Sequence, residues 1–87
     1  MWKIVFTEQA QMDAKKLSSS GLRSKVENLL HILRTNSYQT SPSFEKLVGD
    51  LSGAYSRRIN IQHRLIYQIM DEQKVVKVLR MWTHYDE

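Results

Sequence analysis

The sequence predicts an α+β domain, an antiparallel-rich β-sheet packed against an N-terminal two-helix hairpin, with elements in the order β-α-α-β-β-β. Three observations lead there. Leu22, Val26, Leu29, Leu30 and Leu33 recur at helical spacing and make one apolar stripe. Two extended runs, 55–61 and 64–70, meet at Asn60-Ile61-Gln62-His63, where a strand reverses as a β-hairpin. β-branched and aromatic segments at both ends of the chain supply further strands, and no regular β-α alternation calls for an all-parallel sheet.

Taken in order, Trp2-Lys3-Ile4-Val5-Phe6 reads as a short strand that joins the sheet made by the C-terminal half. Thr7 is a good N-cap, Glu8 complements the helix dipole, and Ala10, Ala14 and Leu17 give a first helix over 8–17. Ser18-Ser19-Ser20-Gly21 interrupts it, and the leucine stripe carries a second helix from Leu22 to about Thr35. His31 lies one position beyond that stripe and reads as a half-exposed helical histidine, since it has no partner at i+4. The polar stretch 36–43 holds the only proline and is a loop, leading into Phe44-Glu45-Lys46-Leu47 as a short extended segment. In the hairpin, Tyr55, Arg57, Ile59 and Ile61 share one face and Ser56, Arg58 and Asn60 the other; Leu65, Tyr67 and Ile69 oppose Arg64, Ile66, Gln68 and Met70. A last strand is expected over 75–85, with Val76, Val78 and Arg80 on one face and Val75, Leu79 and Met81 on the other. Apolar residues on both of its faces place it inside the sheet.

The 87 residues fit one domain, 1–87, with a modest core. No apolar run approaches the roughly 20 residues of a membrane span, and the N-terminus lacks the pattern of a secretory signal, so a cytoplasmic protein without membrane contact is expected. The absence of cysteine removes disulfides, thiolate nucleophiles and thiolate metal sites. A net charge of +4 favours an anionic partner, and three arginines lie in the hairpin at Arg57, Arg58 and Arg64. A planar, permanently charged fork suits phosphate recognition.

No metal-ligand spacing and no phosphate-binding glycine loop is present, which leaves metal-free acid–base chemistry and no cofactor. Cleavage of RNA by its own 2′-OH needs a base for that hydroxyl, a cation for the phosphorane charge and an acid for the departing 5′-oxygen. Glutamate, arginine and histidine supply these roles. Glu45, Arg64 and His84 are the candidates, and they meet only if the sheet brings them together.

Leu51-Ser52-Gly53-Ala54-Tyr55-Ser56-Arg57-Arg58-Ile59-Asn60, then His63-Arg64-Leu65-Ile66-Tyr67 and the closing His84-Tyr85, resemble the YoeB/Txe family of bacterial toxins in the wider RelE superfamily. The likeness spans essentially the whole chain and is strongest from Glu45 onward. It implies a microbial-RNase-like fold and an endoribonuclease, an mRNA interferase that enters the A site of the 70S ribosome, cuts mRNA there and inhibits translation. It also implies a cognate acidic antitoxin of the YefM/Axe kind, and leaves open whether the toxin pairs with itself. Position by position, the resemblance places the general base on Glu45, the phosphate-stabilising arginines on Arg58 and Arg64, the general acid on His84 and the terminal aromatic on Tyr85. Arg57 and Lys46 are further candidate phosphate contacts. Lys46 would replace a lysine that some relatives carry where this chain has Val48, although an extended backbone points it away from Glu45. Relatives also place an arginine nearer the final histidine than Arg80.

Composition fits a second class equally well, a non-catalytic RNA- or ribosome-binding module in which Tyr55, Tyr67 and Trp82 stack on bases and the arginines contact phosphates. The two part on one feature. A binding face gains nothing from a carboxylate and a histidine within one phosphodiester of Arg64.

Overall fold

In the computed structural model, the described residues are 2–36, 38, 44–47, 53–61 and 63–81. Their elements are β1 (Lys3–Phe6), α1 (Glu8–Ser19), α2 (Arg23–Thr35), β2 (Phe44–Lys46), β3 (Ala54–Arg58), β4 (Arg64–Met70) and β5 (Val75–Arg80). The strands form one sheet in the order β1-β5-β4-β3-β2, with β1 parallel to β5 and all other neighbours antiparallel. The α+β, antiparallel-rich architecture expected from the sequence is present. Phe44–Lys46, read as a short extended segment, adds a strand at one edge beyond the four in the expected order.

Local chemistry fixes the joints. Thr7 Oγ1 accepts from the Ala10 N–H at 3.0 Å and donates to the Leu79 carbonyl at 2.9 Å, so one hydroxyl starts α1 and ties it to β5. α1 runs on to Ser19 rather than stopping at Leu17, and a Schellman closure ends it: the Leu22 N–H reaches the Leu17 carbonyl at 3.2 Å over Gly21, whose φ is 83°. Leu22 then opens α2 with no side-chain cap, its own side chain packed against the core.

Strand alternation divides the sheet into two faces. Ile59, Leu65, Tyr67, Val76 and Val78 face the helices and join Ala10, Leu17, Val26, Leu29 and Leu33 in the main core. Leu47, Ala54 and Ile66, with Leu79 packed against them, make a smaller cluster on the other face.

Two expectations change. β5 ends at Arg80, and Met81 sits in a bend, buried in the helix-side core instead of on the face of Val75 and Leu79. The cause is a slip in register: Tyr67 pairs with Val78 but Ile66 pairs with Arg80, so Leu79 is one residue too many and the parity of the strand breaks after it. The expected continuation over 82–85 lies outside the described residues. Ile61, expected beside Tyr55 and Ile59, falls past the end of β3 and is 87% exposed at the hairpin turn.

Candidate active site

β2, β3 and β4 lie side by side, and their registers decide which side chains meet. Glu45 stands opposite Ser56, Ser56 opposite Ile66, and Arg58 opposite Arg64. These residues share the sheet face turned away from the helices. Across it, Arg64 Nη1 lies 3.5 Å from Glu45 Oε1, a loose ion pair that spans β3 from either side. The Arg64 side chain is 17% exposed and that of Glu45 66%, so the cation is held in the sheet while the carboxylate, on the edge strand, is open to a ligand.

Arg58 is exposed and directly faces Arg64 across the β3–β4 ladder. Like charges in that position repel. Among the described residues only one carboxylate, that of Glu45, pairs with either arginine. Two neighbouring guanidiniums beside one carboxylate, which pairs with Arg64, leave a surplus of positive charge that a phosphodiester would balance. Ser56, between Glu45 and Ile66 in the register and two residues before Arg58, is buried, with its hydroxyl lacking a hydrogen-bond partner among the described residues.

The structure corrects the reading of Arg57 as a phosphate contact. Its side chain is fully buried on the helix-side face, where Nε donates to the Tyr67 hydroxyl at 2.9 Å and the guanidinium lies 5.0 Å from the Phe44 ring centre. Burial pushes the Tyr67 phenol up from its ordinary pKa, and the Arg57 charge and hydrogen bond draw it partly back. A guanidinium enclosed in this way braces the core and has no surface to offer a phosphate. The signal was in the alternation, which put Arg57 with Tyr55 and Ile59. Lys46 is exposed and paired with Tyr55 in register, so it leaves β2 on the side opposite Glu45. His84 and Tyr85, like Trp82, lie outside the described residues.

Sequence reasoning missed Asp13. It is fully buried on α1, where Oδ2 accepts from Arg80 Nε and from the Met81 N–H, both at 3.0 Å. Its place three residues after Ala10 and four before Leu17, on the apolar stripe, was a legible sign that this carboxylate turns inward and must be paired. Among the described residues, no three His, Cys, Asp or Glu side chains gather as a metal site, and no helix is long and apolar enough to cross a membrane.

A two-helix layer on a five-stranded sheet, with a Glu–Arg pair and a second arginine on its far face, agrees with the family to which the chain's motifs point. A family model described as the YoeB-like toxin of bacterial type II toxin–antitoxin systems matches residues 6–85. The chain belongs to this family. The toxin YoeB of Streptomyces coelicolor is 32% identical to it over 85 residues, 95% of this chain and 99% of the relative. A chain of the YoeB–YefM complex from Staphylococcus aureus has 33% identity and a TM-score of 0.81, over 98% of this chain and 99% of that one. The YoeB dimer from Staphylococcus aureus gives the same identity and TM-score over 97% and 98%. In this YoeB-family toxin, then, the sheet face that carries Glu45, Arg58 and Arg64 belongs to a known toxin fold.

Proposed function

We propose that this toxin is a ribosome-dependent, metal-independent mRNA endoribonuclease that inhibits translation, working in the cytoplasm as one domain over 1–87. The reading rests chiefly on the Glu45–Arg64 pair, 3.5 Å apart on the sheet face where Arg58 stands opposite Arg64. Glu45, the more open partner, takes the proton of the attacking 2′-OH. Arg64, held in the sheet, and Arg58 beside it balance the charge that grows on the phosphorane oxygens. His84 donates a proton to the departing 5′-oxygen, and Tyr85 stacks on a base or steadies the histidine. The products are a 2′,3′-cyclic phosphate and a 5′-hydroxyl, and no cofactor takes part.

A carboxylate within reach of Arg64 favours catalysis over the binding-module reading. A surface that only held RNA would place no negative charge beside its phosphate-binding arginine. The partners are mRNA in the A site of the 70S ribosome and an acidic antitoxin. For the antitoxin, the Staphylococcus aureus relative in complex with YefM is the supporting observation, and the YoeB dimer from that organism supports pairing of the toxin with itself. The test is single-turnover cleavage of mRNA on programmed ribosomes. Glu45→Ala and His84→Ala should each lose about 10²- to 10⁴-fold in rate while ribosome binding persists. Retained cutting in either variant would return the face to a binding role.

A further inference from the structure

Among the described residues, nothing uses the hydroxyl of Ser56. The residue is 1% exposed and its Oγ has no hydrogen-bond partner there, and a buried hydroxyl left unpaired weakens the protein that carries it. Packing does not ask for the oxygen either. Ala54, two residues earlier on the same strand and face, and Ile66, opposite Ser56 on β4, belong to the small apolar cluster, where another methyl group would fit as well.

On the other side of Ser56 stands Glu45, its partner in the β2–β3 register and the one carboxylate in β2, β3 and β4. Side chains directly opposite each other on one face have Cβ atoms about 4.5–5.5 Å apart, so a turn about χ1 brings a serine hydroxyl within reach of that carboxylate. Arg58 and Arg64, the charged neighbours on this face, only donate and cannot receive the hydroxyl proton. Glu45 in turn is loosely held. Its contact with Arg64 Nη1 is 3.5 Å long, beyond the roughly 2.7–3.2 Å of a good hydrogen bond, and its side chain is 66% exposed. A phosphodiester competes for the same guanidinium. Once Arg64 turns to it, Glu45 loses that hold at the moment its carboxylate must face the 2′-OH.

We propose that Ser56 is a positioning residue for Glu45: its hydroxyl donates to one carboxylate oxygen when Arg64 engages the phosphate, and leaves the other oxygen to take the 2′-OH proton. The proposal rests on the reading of Glu45 as general base. The unpaired hydroxyl of the free toxin is then a donor kept for the substrate complex.

Ser56→Ala in the full chain tests this, because its effects on fold and on rate should run in opposite directions. Losing an unpaired buried hydroxyl should leave the melting temperature of the free protein equal or higher. Single-turnover cleavage on saturating programmed ribosomes should nevertheless slow by about 10- to 10²-fold, the effect of one hydrogen bond to a charged group, with half-saturation unchanged. In a Glu45→Ala background, Ser56→Ala should cause no further fall in the residual rate. A wild-type rate in Ser56→Ala, an equal fall in both backgrounds, or a change confined to half-saturation would each overturn the positioning. So would a lower melting temperature, which would show that the hydroxyl serves the fold. Glu45→Ala alone decides the reading beneath: a wild-type rate there would remove the base and the positioning with it, whereas a slow Glu45→Ala beside a wild-type Ser56→Ala would sink the positioning and leave the base.

Discussion

Replacing Tyr67 with phenylalanine removes one oxygen from the core, the acceptor 2.9 Å from Arg57 Nε. The ring remains, and with it the stacking on Tyr55 at 5.8 Å between centroids and 19° between planes. What is lost is a buried hydrogen bond to a charged donor, a class worth about 1.5–3 kcal/mol net. Arg57 keeps its place over the Phe44 ring and its further interactions, so the lower part of that range, about 1.5–2 kcal/mol, is expected. In a domain of this size each kcal/mol moves the melting temperature by about 4–8 °C, and Tyr67→Phe should melt roughly 6–16 °C lower. Urea unfolding of the full chain should give a lower midpoint with an unchanged slope. Cleavage, measured where both proteins are fully folded, should not change, because Arg57 works inward on the core. An unchanged midpoint would show that the buried bond contributes nothing. A loss of cleavage at full folding would show that the Arg57–Tyr67 pair reaches the substrate, and the reassignment of Arg57 would be wrong.

The remaining predictions concern charge. Asp13 has a depressed pKa, so the stability that wild type holds over Asp13→Asn should be present above the ordinary carboxyl value of 3.8 and disappear as pH falls through the lower folded value; a difference undiminished in strong acid would contradict the pairing. The Tyr38 phenol is pushed up to about 12 by burial and by the Asp71 carboxylate, both of whose oxygens lie 2.9 Å from it. A raised phenol pKa contributes stability below about 10 that fades as pH rises towards the folded value, and spectrophotometric titration of Asp71→Asn should find one tyrosine ionising at lower pH than in wild type. No such change would mean that the contact does not form in solution. Arg58→Ala relieves the repulsion with Arg64, so it should leave stability equal or slightly higher while it slows cleavage and flattens its salt dependence. Clear destabilisation would mean that Arg58 is paired in the fold and not kept for an anion.

The sheet face was legible because period-2 alternation is a property of the chain itself. Once Arg57 and Ile59 share a face, Arg58 must take the other, and the hairpin junction brings Arg64 opposite it. Glu45 was harder to place, since three strand residues carry little periodic signal, and pairing with β3 is what makes Phe44–Lys46 a strand. The helix stripes were equally plain at Leu22 to Leu33. Two things escaped. The bulge at Leu79 depends on how β4 and β5 fit each other, which no local pattern states, and it moved Met81 into the main core. Arg57 was read by type as a phosphate contact and Asp13 was passed over, although their neighbours in each period were apolar. A charged residue at a core position of a clear period signals a buried partner, Tyr67 for the one and Arg80 for the other.

The central claim is that the 2′-OH of the message is the nucleophile, activated by the Glu45–Arg64 face. Two otherwise identical messages, one all-ribose and one with a single 2′-deoxy nucleotide on the 5′ side of the cut, can be placed on programmed ribosomes with the purified toxin. The all-ribose message should be cut to a 2′,3′-cyclic phosphate and a 5′-hydroxyl, and the substituted one should stay whole at that position. Equal cutting of both messages, or products that carry a 5′-phosphate, would contradict it.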